Sequence, residues 1–327
     1  MTGISTEPEP GTAALVAPSS GTATRTERRG GRRSKYAPYV LIAPFALLFV
    51  FLRIVPIGYA AIESLYKTTY NGLGLGVPGK TVFDGVGNFT TVLSGGAFWS
   101  GIGRVLLYGI IQVPVKMALA MMLALILDSG LVRLRRFFRF SIFLPYAIPG
   151  VIAAILWGFL YFPSLSPIVA VVRHFPGAAG FDPLGQRTVL WSIANIATWA
   201  TAGFDMLIYI ASLQTIPVEL LEAARVEGAS EWRIATRIKM RLIGPAVGLS
   251  AIFSVIGTLQ LFTEPEVLSS LSSAIGSKYT PNIFAYTEAL VANRYHYAAA
   301  VSVCLALVTF VLSFAVLGYL SKRRYLQ

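Results

Sequence analysis

The chain has few of the residues on which soluble enzymes depend. Its 327 residues include one cysteine and two histidines, and only 13% are charged. The single Cys304 lies in an apolar run, so it predicts a small buried side chain and supports neither a disulfide framework nor a metal site. A soluble domain of this length would carry about 25% charged residues. With 55% hydrophobic residues, the composition indicates an integral membrane protein.

Long apolar runs predict how the chain crosses a bilayer, because a spanning helix needs about 20 mostly apolar residues. The fold class we expect is all-α, with one membrane domain over residues 36–327 and a basic, disordered tail over residues 1–35. Pro145 and Pro149 predict kinks inside the third run. Six runs qualify as spans: 38–62, 101–127, 138–161, 189–213, 243–263 and 296–320.

The basic residues predict orientation, because loops on the cytoplasmic side of a membrane carry an excess of Lys and Arg. Arg and Lys are concentrated in four segments: the tail, the loop after span 2, the loop after span 4 and the C-terminus. Both termini are therefore expected to be cytoplasmic. The net charge of +12 lies mainly beside apolar runs and does not indicate nucleic-acid binding. The opposite side carries scattered charges: Lys67, Lys80, Arg104, Arg173, Arg187, Lys278 and Arg294.

The loop between spans 4 and 5 has signals for two short helices. Thr215 is expected to cap the first helix, with Pro217 at its first position. Gly228 is expected to supply the positive φ that ends it, and Ser230 to cap the second. The exposed first helix, with Leu220 and Ala223 among its apolar residues, is suited to docking in a groove of a partner protein.

This loop resembles the EAA loop of permeases in binding-protein-dependent ABC importers, in the version found in carbohydrate importers of the maltose and glycerol-phosphate type. Three further segments are similar to the same family: 83–89, 144–149 followed by Trp157, and 262–267. The loop departs from the family pattern at Glu227, where Asp is usual, at Ala235, where an aromatic is usual, and at Arg241, where Pro is expected. The matching positions are Glu222, Ala223, Ala224, Glu227, Gly228, Ala229, Ile238 and Pro245.

The resemblance implies a six-helix, type I ABC-importer permease fold in a bacterial cytoplasmic membrane. The EAA loop, at about residues 215–245, would dock in a cleft of a cytoplasmic ATPase, where Glu222 would pair with a basic residue. Implied partners are a second homologous permease, an ATPase dimer and an extracytoplasmic binding protein that delivers a sugar, expected to be a di- or oligosaccharide. The chain itself would be non-catalytic and hold no cofactor, with ATP and Mg²⁺ on the ATPase.

Polar residues inside the spans are candidates for the substrate path. Arg53, Lys116 and Asp205 lie within apolar runs, where a charge costs about 2.5–3.5 kcal/mol on insertion scales; they either line the path or form structural pairs. Sugar sites combine aromatic faces with hydrogen-bonding side chains. The candidate path residues are Lys116, Asn195, Trp199, Gln260 and Glu264.

Three other functions remain open from the residues alone. A secondary transporter or channel would explain the spans but not the docking loop. A membrane enzyme lacks support, because there is no metal-ligand spacing such as H-E-x-x-H. An ABC permease for a solute other than a sugar would have the same loop. Residues 74–81 also match the phosphate-binding formula G-x-x-x-x-G-K-[ST], but they are predicted to lie outside the cell in a glycine-rich loop.

Overall fold

The computed structural model describes residues 37–69, 79–130 and 132–324, with side chains described between 39 and 318 of these ranges. The chain divides into two units between Arg53 and Ile54, and each is described by itself. The predicted tail, residues 1–35, lies outside the described residues. Most of the segment that matches the phosphate-binding formula, residues 74–81, also lies outside them. Its last two residues, Lys80 and Thr81, lie in a β-strand.

Helices make up most of the described chain. The first unit contains α1 and all but the last residue of a π-helical turn, Val50–Ile54, and the second contains all other elements. The elements are α1 (Ala37–Phe49), α2 (Val55–Glu63), β1 (Tyr66–Thr69), β2 (Lys80–Phe83), α3 (Gly87–Ser94), α4 (Gly96–Asp128), α5 (Arg135–Phe143), α6 (Gly150–Tyr161), α7 (Pro167–Arg173), α8 (Val189–Leu213), α9 (Val218–Val226), α10 (Glu231–Arg233), α11 (Met240–Leu242), α12 (Gly244–Leu259), α13 (Thr263–Leu268), α14 (Pro281–Tyr286) and α15 (Tyr295–Arg324). Further 3₁₀ or π-helical segments are Leu144–Ala147, Ile234–Lys239 and Thr287–Val291.

Five helical stretches in the described chain are long and apolar enough to cross a membrane, and they coincide with five of the six predicted spans. They are Tyr39–Glu63, Gly96–Asp128, Val189–Leu213, Gly244–Leu268 and Tyr295–Gly318. The third predicted span, 138–161, coincides with the sixth apolar region, which is bent rather than straight. That region consists of two helical pieces, Arg135–Ala147 and Gly150–Tyr161, which meet at 96°.

The break in span 3 follows from its prolines. Pro145 lies at the start of the 3₁₀ turn Leu144–Ala147. Ile148 is extended (ψ 126°), as expected for a residue that precedes proline, and Pro149 is extended as well (ψ 133°). The helix therefore ends at Ala147 and restarts at Gly150, and the predicted kink is confirmed as a full break at Pro149.

Within the second unit, helices approach each other closely at glycines, which have no Cβ atom. Helix α4 packs along α8 and α12, and a Cβ on Gly109 of α4 would lie 2.5 Å from the Thr258 side chain. A Cβ on Gly203 of α8 would lie 2.1 Å from the carbonyl oxygen of Ile142 on α5. Small residues permit this approach, as they do at other helix interfaces in membranes.

A short antiparallel pair of strands adds to the expected helical fold. Strands β1 and β2 pair in register from Tyr66 with Phe83 to Thr69 with Lys80. The buried Asn88 side chain of α3 donates hydrogen bonds to the backbone oxygens of Ser64 (3.0 Å) and Tyr66 (2.6 Å). This hairpin therefore has a fixed attachment to the helix that follows it.

Candidate functional site

The first helix of the loop between spans 4 and 5 ends in a glycine-dependent motif. Gly228 has φ +83°, as predicted. Its N–H donates to the Arg225 oxygen, and the Ala229 N–H donates to the Ala224 oxygen, both at 2.9 Å. This is the Schellman arrangement, in which a left-handed residue satisfies the last carbonyls of a helix. The bend between the two short helices is thus set by Gly228.

The start of this helix differs from the prediction. Helix α9 begins at Val218, and Pro217 is the extended residue before it (ψ 133°), without a side-chain cap. Thr215 does not cap the helix, because its hydroxyl donates to the Ser212 oxygen at 2.8 Å. Pro217 occupies the N-cap position itself, and its side chain has no acceptor for the N–H groups of the first turn.

The second helix of the loop is anchored to the membrane domain. The Ser230 hydroxyl accepts a hydrogen bond from the Arg233 N–H at 3.3 Å, so the predicted cap is confirmed. Helix α10 continues through the π-helical segment to α11. Ile234 is fully buried, and Ile243 packs in a core cluster with Leu127 of α4. These apolar side chains hold the loop against the spans.

An ion pair joins the two short helices across the glycine bend. Arg225 Nε lies 2.6 Å from Glu231 Oε1, and Arg225 Nη2 lies 3.4 Å from Glu231 Oε2. Hydrogen bonds from Arg225 lower the pKa of the Glu231 carboxyl. Both side chains are exposed, so the pair restricts the bend angle but adds little to overall stability.

The remaining motif residues are on the outside of the loop. Glu222, Ala223, Glu227, Gly228 and Pro245 are exposed, whereas Ala224 and Ala229 are half-buried. Glu222 makes no hydrogen bond or salt bridge among the residues that the structure describes. Large apolar side chains are exposed around it: Val218, Leu220, Val226 and Trp232 are 56%, 45%, 90% and 78% accessible.

A partly buried ion pair connects the second loop helix to span 2. Lys239 Nζ lies 2.6 Å from Asp128 Oδ2, and the two side chains are 11% and 20% exposed. Asp128 is the last residue of α4. The pair also places the loop after span 2 and the loop after span 4 at the same end of the helices.

Lys116 belongs to a polar cluster inside the spans. Its Nζ lies 2.9 Å from Asp205 Oδ2 on α8 and donates a 2.6 Å hydrogen bond to Ser254 Oγ on α12. The Lys116 and Asp205 side chains are 8% and 6% exposed. The Ser254 hydroxyl in turn donates to the Ser250 oxygen at 2.7 Å. The cluster joins three spans, so the structural pair that the sequence left open is present.

Asn195 and Trp199 contact the second half of span 3. The Asn195 amide donates a 2.7 Å hydrogen bond to the Tyr161 hydroxyl. The Trp199 ring meets Trp157 edge-to-face at 5.7 Å, and Trp157 also contacts Tyr161 at 5.3 Å. Asn195 is exposed, and the buried Trp157 Nε1 has no hydrogen-bond partner in the described chain. Aromatic rings and free hydrogen-bonding groups therefore lie side by side.

Gln260 and Glu264 lie where span 5 is interrupted. Gln260 follows the end of α12 and is exposed, while Glu264 is half-buried in α13. Among the residues that the structure describes, neither makes a hydrogen bond or an ion pair with Lys116, Asn195 or Trp199, but the neighbouring Leu261 packs in the same core cluster as Tyr161.

Sequence reasoning missed several residues around these places. Asp128 and Lys239 are far apart in the sequence, and nothing in either segment indicates that they pair. Tyr161 was not considered as a partner of Asn195. Opposite charges in separate spans, as with Lys116 and Asp205, were the one available signal.

Comparison with known families gives a match over most of the chain. Residues 117–325 match the family model described as "Binding-protein-dependent transport system inner membrane component". The match contains the loop between spans 4 and 5 and both residues of the ion pair between Lys239 and Asp128.

Individual relatives align along nearly their whole lengths. The trehalose transport system permease protein SugA of Mycobacterium tuberculosis (strain ATCC 25618 / H37Rv) is 29% identical, covering 89% of this chain and 92% of that protein. The lactose transport system permease protein LacF of Rhizobium radiobacter is 30% identical, covering 84% and 91%. A chain from the crystal structure of a bacterial ABC transporter that imports the acidic polysaccharide alginate has the same fold, with a TM-score of 0.71, 20% identity, and coverage of 88% and 96%.

Proposed function

The chain belongs to the binding-protein-dependent transport system inner membrane component family, and from this premise we propose that it carries a di- or oligosaccharide across a bacterial cytoplasmic membrane. It would do so as one of two permease subunits of an ATP-driven importer. Its aligned relatives are named as permeases for trehalose, arabinooligosaccharides and lactose. These names support a sugar as cargo, and the family description supports an extracytoplasmic binding protein as the donor.

The loop between spans 4 and 5 is the proposed docking site for a cytoplasmic ATPase subunit. This proposal is carried by one observation: Glu222 is an exposed carboxylate without a salt bridge in the described chain, on a helix with exposed Val218, Leu220 and Val226. A protein partner would cover these apolar side chains, and its basic residue would pair with Glu222. ATP and Mg²⁺ would be bound by that partner. In this arrangement the N- and C-termini are cytoplasmic.

Motion of the docked loop would reach the spans through Lys239 and Asp128. A partly buried ion pair resists separation, because each charge would be left without a partner. Asp128 ends α4, whose middle is tied to α8 and α12 by Lys116. A pull on the loop would therefore move α4 together with its neighbours.

Exchange of the paired charges tests this connection. Asp128→Lys and Lys239→Asp singly place like charges together, and we expect ATP hydrolysis to continue while uptake falls. The double exchange restores an ion pair and is expected to recover uptake. Equal loss in the double exchange and the single variants would contradict the connection.

The sugar path is proposed to pass the cluster of Trp157, Trp199 and Asn195. The rings offer faces for the apolar side of a pyranose, and the exposed amide offers hydrogen bonds to its hydroxyl groups. Gln260 and Glu264, at the outer interruption of span 5, are proposed as the entrance. Lys116 is already paired within the chain, which favours a structural role for it.

Reconstituted transport tests the function directly. The complex that copurifies with the tagged chain is placed in vesicles, and uptake of labelled trehalose, lactose and arabinooligosaccharides is measured with and without ATP. ATP-dependent uptake of one of these sugars supports the proposal. Uptake without an ATPase would favour a secondary transporter, and ATP-dependent uptake of only a non-sugar solute would remove the carbohydrate assignment.

A further inference from the structure

The start of span 3 carries a group of arginines that have no acidic partner. Arg133 precedes α5, and Arg135, Arg136 and Arg139 lie on it. None of the four makes a hydrogen bond or an ion pair with any residue that the structure describes. The Nε of Arg139 is buried without an acceptor. Asp128, the acid that precedes them in sequence, is paired with Lys239.

The rest of the α5 surface is aromatic. Phe137, Phe138 and Phe140 are 62%, 43% and 63% exposed. At about 100° per residue, the three arginines of α5 fall within one arc of the helix and these phenylalanines within the remaining arc. The helix is thus amphipathic: its phenylalanine side is exposed, and on its charged side Arg136 is exposed whereas Arg135 and Arg139 are half-buried.

Helix α5 lies where the spans end, so its arginine side and its phenylalanine side are both near a membrane boundary. The helix follows the end of span 2, at Asp128, and its last residues lie against Gly203 within span 4. Its arginines are therefore near the end of the spans and its later residues are among the spans. Arg side chains at such a boundary extend toward phosphate groups, while Phe side chains enter the acyl region.

We propose that Arg133, Arg135, Arg136 and Arg139 bind the phosphate groups of anionic phospholipids at the end of the membrane that carries the docking loop. The exposed phenylalanines are inserted among the acyl chains of the same lipids. A lipid fits better than a soluble protein, because it supplies both the negative charge and the apolar medium that the two sides of one short helix require. This inference does not depend on which solute the permease carries.

Lipid retention by the purified complex tests the proposal. The complex is exchanged into vesicles of phosphatidylcholine mixed with phosphatidylglycerol, extracted in mild detergent, and the bound lipids are counted by native mass spectrometry. The test variant is Arg133→Gln with Arg136→Gln, because both side chains are exposed. Arg187→Gln is the matched control, since Arg187 is also exposed but lies in the loop between spans 3 and 4.

The wild-type complex should retain phosphatidylglycerol in preference to phosphatidylcholine, with roughly fivefold weaker retention for each arginine removed. Lysine at both positions should restore retention, because it preserves the charge. If the glutamine variant does not assemble, raising salt on the wild-type complex should release phosphatidylglycerol selectively. Unchanged retention in the glutamine variant, or equal loss in Arg187→Gln, overturns the proposal. Loss of the ATPase with unchanged lipid would instead assign these arginines to the protein partner.

Discussion

Replacing Lys116 by methionine separates the structural from the transport role of the buried charge pair. The change leaves the Asp205 carboxylate, whose side chain is 6% exposed, without its cation at 2.9 Å. Removing one partner of a buried ion pair costs about 3–5 kcal/mol. Ser254 loses the donor at 2.6 Å but still donates to the Ser250 oxygen, so the cost falls mainly on Asp205.

The double variant Lys116→Met with Asp205→Asn leaves neither side chain with a formal charge. Replacement of a whole buried pair by neutral residues is often close to neutral in stability, so we expect most of the loss to be recovered. Ser254→Ala is the control that retains the ion pair and loses two hydrogen bonds, to Lys116 and to the Ser250 oxygen, at a cost of about 2 kcal/mol.

Thermal unfolding in detergent, together with uptake in vesicles, measures the two roles. The single Lys116→Met variant should lower Tm by about 6–20 °C, at about 2–4 °C per kcal/mol. The double variant should unfold near the wild-type temperature and retain uptake. A single variant as stable as the wild type would refute the argument from burial. A stable double variant without uptake would place Lys116 on the substrate path.

Two further predictions concern helix packing and the loop. Gly203→Ala brings a Cβ to 2.1 Å from a backbone oxygen and should cost about 1–3 kcal/mol in thermal unfolding, whereas Gly257→Ala, with no atom within 4 Å, should cost nothing; equal effects would contradict the close contact at α5. The bridge between Arg225 and Glu231 depends on pH: because the pKa of Glu231 is lowered in the folded chain, the bridge is present above the ordinary carboxyl pKa and is lost as pH falls through the lowered value. ATPase association should weaken over that acidic range in the wild type and be uniformly weaker in Glu231→Gln, and an identical pH dependence in both would contradict this.

The sequence was most informative where physical constraints act locally. Apolar runs located the spans because their length is set by the bilayer, and Gly228 located the bend because few other residues adopt a positive φ. The broken third span was only partly predicted. Pro145 and Pro149 indicated kinks, but a 96° angle depends on how α5 packs against α8, which no local signal encodes.

Contacts between distant segments were beyond sequence reasoning. The pairing of Asp128 with Lys239 depends on where two loops meet, and either residue alone is typical of a membrane boundary. The predicted cap at Thr215 was wrong for a local reason, since the helix begins at Val218 and Pro217 takes the N-cap position. The path candidates rested on residue type alone, and the structure separates Lys116, which belongs to a buried ion pair, from Asn195 and Trp199, which contact span 3.

The proposed docking of the loop on an ATPase is tested most directly by copurification of Gly228 variants. Gly228→Val places a β-branched residue at φ +83°, which strains the bend, whereas Gly228→Asn is tolerated in the left-handed region and serves as the control. From native membranes, we predict that the wild type and Gly228→Asn bring down an ATPase and a second permease, and that Gly228→Val loses the ATPase alone. Recovery of the ATPase with Gly228→Val, or a wild-type chain that comes down without any ATPase, would contradict the account.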